Sequence, residues 1–293
     1  MKKILILGGS GFIGRNIYEY LKDKYEIDKP SSKELNLINE KAVDGYFSDK
    51  YYDVVIHSAV FNYGKHRELN PKDTLENSLK MYFNVEKNRA HYGKMLYMGS
   101  GAEYDKSRDI QNINEEEIEE YIPKDQYGFA KYIINSHIAK SEKNYNLRLF
   151  GIYGKYEQWE TKFISNVCCK VIKGLPISIR QNVYFDYLYI DDFCKIVEWF
   201  INNEPQYRSY NVASGERVSL EEIARNILRI SGKDLPVIIC KDGLAKEYTA
   251  SNKRLINEMS NFCFTDKMKA YRELYEWYKN NEEIINLYPL LYQ

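Results

Sequence analysis

A chain of 293 residues, 44% hydrophobic and 29% charged, can bury a large core, and its 42 basic and 42 acidic side chains leave no net charge. Without a field of either sign, nucleic acid and anionic membrane are poor partners, and a small molecule is the expected ligand. Five cysteines without a CxxC and four histidines without ligand spacing argue against a disulfide framework and a metal site, which fits the cytoplasm.

The start, "MKKILILGGSGFIG", imitates a signal peptide, but the apolar run Ile4 to Leu7 is too short before glycines intervene. No later stretch is apolar enough to span a bilayer. "KILILG" reads as a strand and "GRNIYEYLKDK" as a helix. "YEID" is a strand, "NEKAVDGYFSDK" a helix, and "YDVVIHSAV" a buried strand ending near Ser58. Residues 74–91 are helical, "KMLYMGS" is a strand ending at Ser100, and the acidic run 115–120 is a solvated helix start. Residues 127–143 are helical, and "YNLRLFGIYG" is one strand running to a glycine. This alternation predicts a parallel sheet covered by helices. Beyond Gly154 the order is less regular, and punctuation at Gly174, Pro176 and Gly215 suggests a lobe built from separated segments.

Gly8, Gly11 and Gly14 stand at GxxGxxG spacing between the first strand and the first helix. Such glycines permit a tight turn, let backbone approach a pyrophosphate and allow close helix packing, with the helix N-terminus facing the phosphates. The bland alternative is a glycine-rich turn without a ligand. The fold class is therefore read as α/β, a Rossmann-type doubly wound parallel sheet with a smaller C-terminal substrate lobe. The dinucleotide domain is expected over 1–154 with a returning segment near 184–202, and the lobe over 155–183 and 203–293.

In such sheets ligands collect at the carboxyl ends of strands, here Ser58-Ala59-Val60, Met98-Gly99-Ser100 and Phe150-Gly151-Ile152. Tyr127 precedes Lys131 by four residues, one helix face apart, and a cation there would lower the phenol pKa toward a useful range. The spacing alone is uninformative, since Tyr18/Lys22, Tyr20/Lys24, Tyr25/Lys29, Tyr46/Lys50 and Tyr275/Lys279 share it. Position selects Tyr127: only its helix follows a strand that ends in a hydroxyl, Ser100. For the other pairs, a packed tyrosine and a snorkelling lysine suffice.

The segments "GGSGFIG", "DVVIHSAV", "MGSGAEY", "QYGFAK", "LRLFGIYG", "FDYLYIDD" and "YNVASGERVSLEEIA" resemble the extended short-chain dehydrogenase/reductases of the sugar-nucleotide epimerase/dehydratase family. The resemblance implies a catalytic set of Ser100, Tyr127 and Lys131. Tyr127 would be the general acid/base, Ser100 would hold the same substrate oxygen, and Lys131 would bind the nicotinamide ribose. It further implies that Gly8, Gly11, Phe12, Ile13 and Gly14 cradle the pyrophosphate. Asn36 and Leu37 would flank the adenine, Ser58, Ala59 and Val60 would line the ribose, and Ile152 would sit by the carboxamide.

Dehydratases of this type carry acidic residues just after the catalytic hydroxyl, where this chain has Gly101 and Ala102. Glu103 should point away from Ser100 if the strand end continues extended. "ELNLINEKAVDGYF" is similar to a stretch of GDP-fucose synthases, yet their extra Cys and His would fall at or near Ala102 and Lys155. The reading is thus an NAD(P)-dependent oxidoreductase acting on a sugar nucleotide, with reduction of a 4-keto sugar preferred. The alternatives are a 4-epimerase holding NAD tightly and a non-catalytic NAD(P)-binding regulator. The family's diphosphate-binding Arg is replaced by Phe185, with Arg180 as a candidate substitute. Asp28 favours NAD, whereas Lys29, Ser31, Ser32 and Lys33 incline the reading to NADP. A homodimer is left open.

Overall fold

The computed structural model describes residues 1–61 and 73–291. In chain order the first elements are β1 (Lys3–Leu7), α1 (Phe12–Leu21), β2 (Glu26–Asp28), α2 (Glu40–Phe47), β3 (Tyr52–His57), α3 (Asp73–Glu86) and β4 (Tyr92–Ser100). They are followed by β5 (Ile110–Ile113), α4 (Gln126–Ile138), β6 (Asn144–Leu149), β7 (Gly151–Tyr153), α5 (Phe163–Ile172), β8 (Ile177–Asn182), β9 (Tyr184–Phe185) and β10 (Tyr187–Tyr189). The last are α6 (Ile190–Asn202), β11 (Ser209–Val212), β12 (Val218–Ser219), α7 (Leu220–Ser231), β13 (Val237–Leu244), β14 (Tyr248–Ala250), α8 (Lys253–Glu258), α9 (Lys267–Asn280) and α10 (Leu287–Leu291).

The chain divides into two compact units. The first comprises Met1–Arg108, Asn114–Leu149 and Cys194–Val212. Its sheet has the order β11-β6-β4-β3-β1-β2, with every neighbouring pair parallel. Central strands covered on both faces need unbroken apolar runs, and Ile4, Leu5 and Ile6 of β1 are fully buried. One core cluster joins Leu5, Val43, Phe47, Val55, Met95 and Ile134, so sheet and helices share their apolar surfaces. The order reverses between β1 and β3, which places a switch point at the carboxyl ends of those strands.

The second unit comprises Asp109–Ile113, Phe150–Phe193 and Ala213–Gln293. It holds small sheets ordered β12-β9-β14-β5, β10-β7 and β13-β8, and its helices α5, α7 and α9 pack on one another around Cys168, Ile223, Ile227 and Leu274. Ser219 caps α7 by accepting from the Glu222 N–H at 3.1 Å, and Gly232 ends it at φ +68°, which gives this lobe well-delimited helices.

Several boundaries differ from the sequence expectation. "YNLRLFGIYG" is two strands, because β6 joins the large sheet while β7 pairs with β10 in the second unit. The first unit therefore stops at Leu149 instead of 154. Its returning segment is Cys194–Val212 instead of 184–202, because β11 closes the sheet edge against β6. Residues 109–113 leave the first unit, since β5 pairs with β14. The acidic run forms a 3-10 turn at Glu115–Glu119, and Glu115 is buried, accepting from the Asn211 N–H at 2.8 Å. The helix expected over 74–91 ends at Glu86, and that expected over 127–143 ends at Ile138.

Candidate active site

The turn after β1 depends on glycine. Gly8 adopts φ +84°, where a Cβ would lie 2.6 Å from the Ala59 nitrogen, and a Cβ on Gly14 would lie 2.4 Å from the Gly8 carbonyl oxygen. Both positions are demanded by the packing of β1, α1 and the end of β3. Gly11 differs: among the described residues its Cβ would meet only the Gly8 oxygen at 3.4 Å, so none of them fills the space beside it. Gly11 is also the N-cap of α1, which has no side-chain cap and no acidic residue in its first turn. An open cradle at a helix N-terminus fits a dinucleotide diphosphate. Gly8, Gly11, Phe12, Ile13 and Gly14 are brought together there, and Ser58 joins them, its hydroxyl donating to the Leu7 carbonyl at 2.7 Å.

The other residues expected at the cofactor are distributed unevenly. Ala59 packs against Gly8, and Val60 is exposed. Leu37 is buried in the core of the first unit, and its carbonyl accepts from Asn84, while the Asn36 side chain accepts from the Ile38 N–H on the surface. Ile152 lies on β7 in the second unit, not at the end of a strand of the large sheet. Asp28 accepts from the Tyr52 hydroxyl at 2.6 Å. Lys29 borders the glycine turn, where a Cβ on Gly9 would come within 2.9 Å of it, and its ammonium lies 4.3 Å from the Tyr18 ring centroid.

Ser100 ends β4, and Tyr127 opens α4. Asp125 caps α4 by accepting from the Gly128 N–H at 2.9 Å. A Cβ on Gly128 would lie 2.6 Å from the Ala102 carbonyl oxygen, so glycine lets the first turn of α4 press onto the turn that follows Ser100. The Tyr127 phenol is thereby brought beside the Ser100 side chain, close enough for Ser100 to influence its titration. One helical turn on, Lys131 is buried and donates to the Met98 carbonyl at 2.6 Å. Ser100, Tyr127 and Lys131 therefore converge at the end of one strand.

The electrostatics depart from expectation. Burial raises the Tyr127 phenol above its ordinary value, opposed by the neighbouring Ser100 hydroxyl and reinforced by the charges of Glu103 and Asp125. The Lys131 ammonium lies nearer the Tyr97 ring, 4.3 Å from its centroid, than the Tyr127 ring, at 5.8 Å. Burial pushes Lys131 itself down to about 8, with Glu103 opposing.

Glu103 corrects a second expectation. The chain does not continue extended after Ser100 but turns into a 3-10 helix at Gly101–Tyr104. The Glu103 carboxylate thereby reaches back to accept from the Ser100 N–H at 2.9 Å. It is fully buried, and it also accepts from Arg148 Nε at 2.7 Å and from Asn146 at 3.0 Å. Sequence reasoning also missed His57, buried at the end of β3, its ring centroid 5.4 Å from that of Tyr97 and its imidazole pushed down to about 4 by burial and then by Lys131. The only signal for it was its place beside Ser58.

In the second unit Arg180 is exposed on β8, and Phe185 packs its ring against Tyr187 and Tyr248, at centroid distances of 5.4 and 5.7 Å. Among the described residues, no group of three or more His, Cys, Asp or Glu is arranged to hold a metal, and no helix is long and apolar enough to cross a membrane.

A parallel sheet with a glycine turn at its switch point and a Ser-Tyr-Lys cluster at a neighbouring strand end defines a Rossmann-type dinucleotide fold. The family model for the NAD dependent epimerase/dehydratase family matches residues 4–213, and the chain belongs to that family. It is an NAD(P)-dependent enzyme of the extended short-chain dehydrogenase type. The chain is 25% identical over 253 residues to the GDP-L-colitose synthase of Yersinia pseudotuberculosis, covering 78% of this chain and 82% of that protein. It is similar in structure to the NADP-bound GDP-L-fucose synthetase of Naegleria fowleri, with a TM-score of 0.82, 18% identity, and 96% and 94% of the two chains covered. The GDP-mannoheptose C4 reductase of Campylobacter jejuni with NADP bound gives a TM-score of 0.78 and 18% identity over 95% and 98% of the chains.

Proposed function

We propose that this protein reduces the 4-keto group of a sugar nucleotide with NADPH, and that Ser100, Tyr127 and Lys131 carry the reaction. The observation that supports reduction over dehydration is the state of Glu103. Elimination of water needs two further titrating groups beside the Ser-Tyr-Lys set. Gly101 and Ala102 have none, and the Glu103 carboxylate is fully buried and occupied by Arg148, Asn146 and the Ser100 N–H.

Bound NADPH would supply the hydride for the carbonyl carbon. Gly11, Phe12, Ile13 and Gly14 would hold its diphosphate at the start of α1, and Lys131 would hold the nicotinamide ribose. Tyr127 delivers its Oη proton to the incipient alkoxide, and Ser100 Oγ orients the same oxygen. A phenol raised by burial suits this role, because it stays protonated until the oxygen it faces becomes basic. NADPH is favoured over NADH because the Asp28 carboxylate is taken by Tyr52, while Lys29 stands beside the glycine turn. The names of the similar proteins, a colitose synthase and a C4 reductase, point to the same substrate class.

The test is a panel of sugar nucleotides with a 4-keto or a 4-hydroxyl group, offered with NADPH or NADH, with cofactor consumption and product stereochemistry both recorded. NADPH consumption with a 4-keto substrate is the expected result. Interconversion of 4-hydroxy epimers by protein that releases bound NAD on acid precipitation would replace the reading with a 4-epimerase.

A further inference from the structure

We infer that Glu103 is a positioning residue, a buried carboxylate that fixes Ser100 from behind and supplies the negative charge facing Lys131 and Tyr127. The inference rests on the proposed reduction for its kinetic consequences, but not for its geometry.

The carboxylate sits in a capping box: Ser100 Oγ accepts from the Ala102 N–H at 3.2 Å, and Glu103 Oε1 accepts from the Ser100 N–H at 2.9 Å. The serine is thus gripped on both its main chain and its side chain. The second carboxylate oxygen is anchored in turn by Arg148 Nε at 2.7 Å and Asn146 Nδ2 at 3.0 Å. Arg148 has no exposure, and its remaining nitrogens donate to Tyr104, Asn211 and Asn135 at 2.9 to 3.0 Å. The space for this arrangement comes from Gly99, where a Cβ would lie 2.6 Å from Glu103 Oε1 and 2.0 Å from the Asn146 amide oxygen.

A capped surface turn would not need a charge with no exposure, nor an arginine with none, because burying such a pair is costly. What the pair adds is a fixed charge. The groups facing Lys131 and Tyr127 are His57 from β3, Tyr97 and Ser100 from β4, Asp125 at the start of α4, and Glu103 from the turn. Glu103 favours the protonated form of both, adding to burial for the phenol and opposing it for the lysine.

Two variants separate position from charge. Glu103→Gln keeps an acceptor for the Ser100 N–H and removes the charge; the alkaline limb of the kcat profile should move to lower pH, because Tyr127 and Lys131 both lose their protons earlier. Since this leaves Arg148 uncompensated, Glu103→Leu combined with Arg148→Met restores a neutral interior and removes the acceptor. That double variant should lose about 10²-fold in kcat with KM for NADPH little changed, as expected for a misplaced Ser100.

A readout independent of turnover is the Ser100 amide proton in protein labelled with ¹⁵N-serine, identified by its absence as a serine signal in Ser100→Ala. It should resonate downfield in the parent and move upfield in the folded double variant. If the parent reduces no 4-keto sugar nucleotide, the proposed function fails and the amide shift still decides the role of Glu103. A folded double variant with the parent's amide shift, or with its kcat and alkaline limb, overturns the inference.

Discussion

Helices α1 and α4 belong to the same unit, and each carries a tyrosine four residues before a lysine, Tyr20/Lys24 and Tyr127/Lys131. Lys24, just past the end of α1, lies 3.9 Å from the Tyr20 ring centroid and pairs with Glu198 at 2.8 Å, with much of the ammonium in solvent. On α4 the lysine is buried against the Met98 carbonyl, and the tyrosine stands beside Ser100 at the end of β4. The N-termini are reversed in character. That of α1 has no side-chain cap, while that of α4 is closed by Asp125. The open terminus suits a phosphate and the closed one holds the tyrosine proposed as the proton donor, so identical spacing can serve different ends according to which strand the helix follows.

The sharpest way to break this comparison is to remove both hydroxyls in turn. Tyr127→Phe should cost about 10²–10⁴-fold in kcat with cofactor affinity nearly intact, while Tyr20→Phe should leave kcat unchanged. Equal kinetics for the two variants would reduce Tyr127 to a packing residue.

Glycine substitutions probe the other terminus. Gly11→Val should fold with the parent's melting temperature yet lose most NADP(H) affinity in calorimetric titration, because its side chain would enter the open cradle. Gly14→Val should instead fail to fold stably, since the clash is with the Gly8 backbone. Undiminished binding by Gly11→Val would show that the glycine turn serves only the fold.

Lys131 and Lys24 should differ in how pH affects stability. The folded value of Lys131, about 8, lies below the unfolded value, so the unfolded chain binds more protons between the two and stability rises with pH across that window. Lys131→Met should therefore stabilise the protein at pH 7, on the order of 1–3 kcal/mol, with the gain vanishing once both states are neutral. For Lys24, raised by Glu198, stability is lost as pH climbs through its folded value, and the effect is small because the pair is exposed. Denaturant titrations of both Met variants at pH 7 and above pH 10 measure the contrast. Asp125→Ala should cost about 1 kcal/mol with its cap on α4, whereas Gly11→Ala has no side-chain cap to lose at α1.

The parts of the site legible in the sequence were those set by local spacing. Gly8, Gly11 and Gly14 announced the turn, and Tyr127 and Lys131 announced one helix face. Tyr127 could be chosen among six pairs because a hydroxyl-bearing strand preceded its helix. The illegible parts depended on where the chain leaves regular structure. The strand containing Ile152 was read as continuous because both halves are apolar, and only pairing across sheets shows the break at Phe150. Glu103 was assigned by strand alternation, which fails once the chain closes into a 3-10 turn, and its partner Arg148 lies 45 residues away. The net rise of the Tyr127 phenol was not legible either, because it comes first from burial, and the Met98 carbonyl that holds the Lys131 ammonium is set by the fold.

The most direct test of the central claim is reduction of a 4-keto sugar nucleotide with NADPH deuterated at the transferable position of the nicotinamide. The product should gain one deuteride at C4 and one proton on oxygen, in step with NADPH oxidation, and Tyr127→Phe should suppress the transfer. A product lighter by one water and formed without reductant, or an epimerised product with no deuterium and no net oxidation of NADPH, would contradict it.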